Sequence, residues 1–214
     1  MDALNRSITI KRCIKPYHLS QMSGIEGKGT LALSEETDRE LIERAKAYDE
    51  AALQLIYERY APGIYRYIYY RVGSPELAED LRAEVFVRML EGIANFNYRG
   101  WSISAWLYRI AHDRVVDHIR RQKRRNHEVL EEQYIDPSAG PDAVSLARID
   151  HEALREAIKQ LTEDQAEVVL LRFVAEHSLK EVAQITGRTE GAVKAMQHRA
   201  LQTLGRILGS QVDA

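Results

Sequence analysis

The chain is poor in the residues that build disulfide-stapled or membrane-spanning architectures. Its 214 residues include one cysteine, Cys13, so no intramolecular disulfide framework can form and no cysteine zinc site can be assembled from it alone. A reducing, cytoplasmic setting is the expectation. No apolar run approaches the roughly 20 residues a membrane span needs, and the amino terminus lacks the apolar core and small-residue cleavage site of a secretory signal, so no membrane insertion is expected. Net charge is scarce as well: 30 Lys and Arg against 32 Asp and Glu leave −2. The overall field does not draw such a chain onto nucleic acid, and any nucleic-acid surface must be local. Paired carboxylates occur, but no His or Cys lies near them in sequence and no glycine-rich substrate loop accompanies them. That argues against an enzyme, and no catalytic residue, metal or cofactor is assigned.

What the sequence has is helical periodicity. From Asp38 onward, apolar residues recur as Leu41, Ile42, Ala45, then Leu53, Ile56, Tyr57, Tyr60, then Ile64, Tyr65, Ile68, Tyr69, Val72. Asp49 reads as a helix cap, Pro62 as a first-turn residue, and Gly73-Ser74-Pro75 as the end of one helix and the start of another. The helix from Pro75 to Glu91 turns Leu77, Leu81, Val85 and Met89 inward; a turn-like segment, Gly92 to Ser102, leads to a long helix from Ile103 to about Arg125. The predicted fold is all-α, two small helical domains joined by an acidic flexible linker. Residues 1–34 form a weakly ordered arm, in which Ile8 to Tyr17 can pair as a strand. Residues 35–125 are the first domain, 126–141 the linker, and 142–210 the second domain. The linker assignment rests on Glu128, Glu131, Glu132 and Asp136 and on the run Pro137-Ser138-Ala139-Gly140-Pro141, which opposes helix continuation.

The second domain ends in a helix-turn-helix. Leu179, Val182, Ala183 and Ile185 give one apolar face, Thr186-Gly187-Arg188 is the tight turn, and Val193, Ala200 and Leu204 recur on the next helix. Thr189 is placed to cap that helix. Arg188, Lys194, His198 and Arg199 surround it with cationic or protonatable groups, as a helix in a DNA major groove requires. Gln197 suits adenine, Lys194 and Arg199 suit guanine or phosphate, and Glu190 suits both cytosine and the positive helix end. His198 stays open between phosphate contact and packing, and Ala195 and Met196 can simply pack. The competing reading is a tri-helical core that never touches DNA.

A second basic surface lies in residues 107–125. Arg109, Arg114, Arg120, Arg121, Lys123, Arg124 and Arg125 stand against only Asp113 and Asp117, a local excess of five positive charges. A solvated helix face is the plain reading. Phe96, Tyr98, Trp101, Trp106 and Tyr108 lie just before or within this helix, however, and stacking is worth roughly 1 to 3 kcal/mol per base, so one segment combines stacking platforms with phosphate-neutralising groups. Trp106 shares an apolar face with Ile110 and Val115 and reads as core; Trp101 is the better functional candidate. Upstream, Glu79, Asp80 and Glu84 fall near one another on the exposed side of their helix, a docking face for a basic partner helix.

The order of acidic helix, aromatic turn, basic helix, acidic linker and terminal helix-turn-helix resembles the extracytoplasmic-function (ECF) sigma factors, the small two-domain initiation subunits of bacterial RNA polymerase in the sigma-70 superfamily. The resemblance rests on Ala78-Glu79-Asp80-Leu81 with Glu84 and Phe86, on Ala105-Trp106-Leu107-Tyr108-Arg109-Ile110-Ala111, and on Asp117-His118-Ile119-Arg120-Arg121. In the second domain it rests on Leu161-Thr162, Val168 to Phe173, Glu181-Val182-Ala183, Glu190-Gly191-Ala192-Val193-Lys194 and His198-Arg199-Ala200. It covers residues 38 to 208.

The resemblance implies a factor that binds core polymerase and directs promoter-specific initiation, the chemistry belonging to the polymerase. Glu79, Asp80, Leu81, Glu84 and Phe86 would dock the beta-prime clamp helices, with the beta flap as a further core contact. Asn95, Phe96, Tyr98, Trp101, Arg109, His112, Asp113, Arg114, Asp117, Arg120 and Arg121 would melt and read the minus-ten element. Arg188, Thr189, Glu190, Lys194, Gln197, His198 and Arg199 would read the minus-thirty-five element as duplex. An anti-sigma factor is a further implied partner. The chain departs from the family pattern at His112-Asp113, where Arg and Asn are common, and at Ala195-Met196-Gln197, which replaces a frequent Ser-Arg-Leu run. The arm before Ser34 is longer than the family needs, and Met22 is an alternative start. The contrasting function is a stand-alone helix-turn-helix regulator of transcription, which would need neither the acidic docking helix nor the aromatic-basic segment.

Overall fold

The computed structural model describes residues 38–97, 101–128 and 155–209, and the expectations for the arm, for Tyr98 and for most of the linker lie outside them. Within these residues every regular element is helical. Helix α1 (Asp38–Lys46) buries Leu41, Ile42 and Ala45 and carries acids in its first turn and bases in its last, the arrangement the helix dipole favours. Asp49 caps α2 (Glu50–Val72) by accepting from the Ala52 amide, and Arg44 Nε reaches the same carboxylate at 2.9 Å, tying the end of α1 to the start of α2.

Pro62 departs from the sequence expectation. It starts no new helix but lies inside a continuous α2 of 23 residues. A proline in a helix interior removes a backbone hydrogen bond and costs about 3 kcal/mol. Its ring is on the exposed side, whereas Ile56, Ala61, Ile64, Tyr67 and Ile68 are all buried, and burial of each large apolar side chain returns about 1.5 to 3 kcal/mol. Helix α2 ends where expected, at Gly73 with φ +80° in the left-handed region, and Ser74 caps α3 (Pro75–Gly92) with Pro75 in its first turn.

A 3-10 turn (Ile93–Asn95) follows, then α4 (Ile103–Glu128). Residues 126–128 continue α4, so the helix runs three residues past the expected start of the linker. Helical residues 155–159 precede α5 (Glu163–Val169), which passes through a π-helical turn (Leu170–Val174) before α6 (Leu179–Thr186) and α7 (Glu190–Gly209). Capping boxes open α5 at Thr162 and Gln165 and α6 at Ser178 and Glu181.

Helices α2, α3 and α4 pack on one another around Ile64, Ile68, Val85, Leu107 and Ala111. The carboxy-terminal half packs α5, α6 and α7 around Val168, Leu171, Val182, Ile185, Val193 and Leu204. The halves are in contact. Helix α6 lies against α4, and the π-helical turn lies against α2. Tyr67 of α2, Tyr108 of α4 and His177 of the carboxy-terminal half stack edge to face in sequence, with ring centroids 5.6 and 4.7 Å apart.

Candidate nucleic-acid interface

The helix-turn-helix is built from local rules. Ser178 accepts from the Glu181 amide and starts α6. Gly187, with φ +68°, ends it, and the Gly187 and Arg188 amides turn back onto carbonyls of Ala183 and Gln184. Thr189 then accepts from the Ala192 amide at 3.2 Å and starts α7. On α7, Val193, Met196, Ala200 and Leu204 are buried, which leaves Glu190, Lys194, His198 and Arg199 exposed on the opposite side. Ala195 is exposed, so only Met196 of that pair packs. Gln197 is half-buried and accepts from Arg172 Nε at 3.0 Å. Arg188 is paired with Asp164 at 2.6 Å.

Helix α4 presents the second basic surface. Ser102 caps it by accepting from the Ala105 amide, and Arg120, Arg121, Lys123, Arg124 and Arg125 are exposed along its second half. Nearer its start, Arg109 pairs with Asp113 at 3.2 Å and Arg114 with Asp117 at 3.1 Å. The aromatic set divides. Phe96 is buried with its ring centroid 4.6 Å from that of Trp106, Trp101 and Trp106 are both partly buried against the core, and Asn95 is exposed. Of the residues expected to meet an unwound strand, Phe96 therefore has its ring in the core.

On α3, Glu79, Asp80 and Glu84 are exposed as expected, whereas Leu81 and Phe86 are buried and lie beneath the face rather than on it. Glu79 pairs with Arg82. The face continues into apolar residues: Tyr48, Tyr57, Val87 and Leu90 are the exposed large hydrophobics among the described residues, of which sequence reasoning missed Tyr48, Val87 and Leu90 and placed Tyr57 in the apolar stripe of its helix. Asp80, Glu84, Val87 and Glu91 recur at helical spacing along it. The signal was present as Val87 and Leu90 on the polar side of an amphipathic helix.

Between the halves lies a cleft of about 260 Å³, lined by Arg71, His112, Arg120, Lys123, Arg188, Glu163, Asp164 and Glu167 among others. At its floor the buried Glu167 carboxylate receives the Tyr67 hydroxyl at 2.5 Å, with Arg71 Nε at 3.2 Å and His112 Nδ1 at 3.0 Å. Burial alone would raise the Glu167 pKa; the His112, Arg71 and Tyr67 contacts outweigh it and hold the carboxyl below its ordinary value. Burial, with the Glu167 charge beside it, pushes the Tyr67 phenol well up. Sequence reasoning passed over Glu167, although a carboxylate inside Ala166-Glu167-Val168-Val169-Leu170-Leu171 is a charge in an apolar run.

Comparison with known proteins accounts for both halves. The Sigma-70 region 2 family model matches residues 56–125, and the Sigma-70 region 4 model matches residues 151–204. The ECF RNA polymerase sigma factor BldN of Streptomyces coelicolor is 40% identical over 173 residues, covering 79% of this chain and 65% of that protein. The ECF RNA polymerase sigma factor SigX of Bacillus subtilis is 32% identical over 164 residues, covering 72% of this chain and 82% of that protein. The chain belongs to the ECF sigma factors. A solved structure of the sigma factor RpoE in complex with the anti-sigma factor NepR, from Bartonella quintana, shares the fold at TM-score 0.59 and 21% identity, covering 73% of this chain and 96% of that one. In this sigma factor residues 103–125 of the basic helix α4 fall within the region 2 match, and α6 with residues 190–204 of α7 within the region 4 match. No helix among the described residues is long and apolar enough to cross a membrane, and no cluster of metal-ligating side chains occurs among them.

Proposed function

We propose that this chain binds core RNA polymerase through α3 and directs initiation at promoters whose two elements it reads with α4 and α7, acting in the cytoplasm without catalytic residues of its own. The observation that carries the reading is the joint presence of one acidic and two cationic surfaces on three separate elements. These are the exposed Asp80 and Glu84 face, the exposed cationic second half of α4, and the exposed Lys194, His198 and Arg199 face of α7. A stand-alone helix-turn-helix regulator has use for the last alone.

The roles divide by chemistry. Asp80 and Glu84 offer charge to a basic helix while Tyr48, Tyr57, Val87 and Leu90 add the apolar contact that charge alone does not supply. This apolar rim replaces Leu81 and Phe86 as the direct contact. Trp101, with Asn95 and Tyr98, would hold an unstacked base, and Arg120 and Arg121 would neutralise the adjoining phosphates. On α7, Lys194 and Arg199 would meet guanine or phosphate in the major groove and Glu190 would accept from cytosine. Thr189 keeps its hydroxyl for the cap. Residues 35–125 and 142–210 are the two functional domains in this reading, with residues between them as a tether. An anti-sigma partner would mask one or more of these faces.

The test is a core-polymerase pull-down with the full chain. Asp80→Lys together with Glu84→Lys should weaken core capture at least tenfold while the helical circular-dichroism signal is retained. Undiminished capture by the folded double variant would remove α3 from the docking surface.

A further inference from the structure

We propose that the cleft lined by Arg71, Arg120 and Arg188 is a binding site for a small phosphate-bearing anion, either inorganic phosphate or a compact phosphomonoester. The inference does not rest on the functional reading above.

Cations converge on this cleft from three elements. Arg120 and Lys123 come from α4, at a spacing of three that sets them on one helix face; Arg71 comes from α2, and Arg188 from the turn between α6 and α7. Arg120 is exposed and makes no hydrogen bond or ion pair among the described residues. The Arg71 side chain is only 7% exposed, and its Nε, though within ion-pair distance of Glu167, has no hydrogen-bond partner. A buried donor left without an acceptor is costly, and an anion entering the cleft brings acceptors to it.

The carboxylates of the cleft do not bar an anion. Glu167, at the floor, is already balanced by Arg71 and His112. Glu163 and Asp164 stand at the rim, each 56% exposed, and pair with Lys123 and Arg188. Exposed pairs of this kind contribute little, so both carboxylates can turn to solvent and release their cations. Arg120, Lys123 and Arg188 then face one oxyanion. Phosphate suits them, because its several oxygens accept from two guanidinium forks and an ammonium at once. Size sets the upper limit. At about 260 Å³ the cleft is smaller than the roughly 300 to 1,000 Å³ of clefts that hold drug-sized ligands, so inorganic phosphate or a phosphorylated three-carbon unit fits and a nucleotide does not. A metal cation is disfavoured by the lining, in which Arg71, Arg120, Lys123 and Arg188 outnumber Glu163, Asp164 and Glu167.

The test is isothermal titration calorimetry on the full chain, with sodium phosphate and with glycerol 3-phosphate, at constant ionic strength in a chloride background. One saturable site per chain should appear. Arg120→Gln and Arg188→Gln should each weaken phosphate binding by about tenfold or more, with the helical circular-dichroism signal retained. Arg124→Gln removes an exposed cation of α4 that does not line the cleft, and should leave phosphate binding unchanged. Absence of saturable binding, or an equal loss in Arg124→Gln, would overturn the site. The DNA backbone is the other source of phosphate, and a short single-stranded oligonucleotide without terminal phosphates separates the two. Binding of both small anions that depends on Arg120 and Arg188 supports the proposal. Oligonucleotide binding that depends on those arginines, with neither small anion bound, would assign the cations to DNA and overturn it.

Discussion

At Gly63 a Cβ would stand 2.6 Å from the Tyr108 hydroxyl, and the Tyr108 ring is buried between Tyr67 and His177, so it cannot swing aside. Gly63→Ala should therefore destabilise the fold by about 1 to 3 kcal/mol, the usual range for overpacking, read as a shift of the urea midpoint. Gly187 is different in kind. Nothing closer than 3.7 Å would meet its Cβ, but its φ of +68° is left-handed, and Gly187→Ala should cost roughly 1 to 2 kcal/mol through backbone strain. His177 carries the pH dependence. Burial holds its pKa below the ordinary 6.5, against the opposing pull of Glu181. Above pH 6.5 the ring is neutral whether packed or exposed. As pH falls below that, an exposed ring takes up a proton before the packed one does, so the packed state loses stability as pH drops through the depressed pKa. Glu167 and Glu181, both held below 4.5, act in the same direction at lower pH. The melting temperature should fall between pH 7.5 and 5.5, and His177→Gln should show a smaller fall; an equal fall would place the titrating group elsewhere.

At the scale of elements, caps and charge explain most of what forms. Ser178→Ala removes the acceptor that starts α6 and should cost about 1 kcal/mol, with α7 misplaced as a result and duplex binding weakened; unchanged stability would mean Glu181 alone suffices as a cap. Arg120 and Arg121 are exposed on α4, and removing either should lower the slope of log binding constant against log salt by about 0.7 to 0.9. An unchanged slope would put those side chains off the DNA. The helices were legible because their punctuation is local: Asp49, Gly73, Ser74, Pro75, Gly187 and Thr189 all act where the sequence places them. Pro62 misled because its local cost is overruled by burial of Ala61 and Ile64 on either side, which only the packed structure displays. The exposed charges of α3, α4 and α7 followed from periodicity. The burial of Leu81 followed from periodicity too, against the docking role the resemblance gave it, whereas the burial of Phe86 and Phe96 did not, since an apolar residue at the edge of an amphipathic stripe is core or surface according to the neighbour it meets. Glu167, a residue of α5, met its partners 55 to 100 positions away in sequence, Tyr67, Arg71 and His112, and no local pattern announces such a contact.

At the scale of the molecule, two helical halves share a seam, and the surfaces proposed for polymerase, unwound strand and duplex lie on different elements of this sigma factor. The acidic α3 face stands clear of the seam, while the first half of α4 is within it. The central claim is tested most directly by run-off transcription with purified core polymerase on a pool of fragments from the source genome, with and without this chain. Discrete transcripts that start at promoters and appear only when the chain is added are the predicted result. An identical transcript pattern in both reactions, with the chain failing to associate with core, would contradict the account.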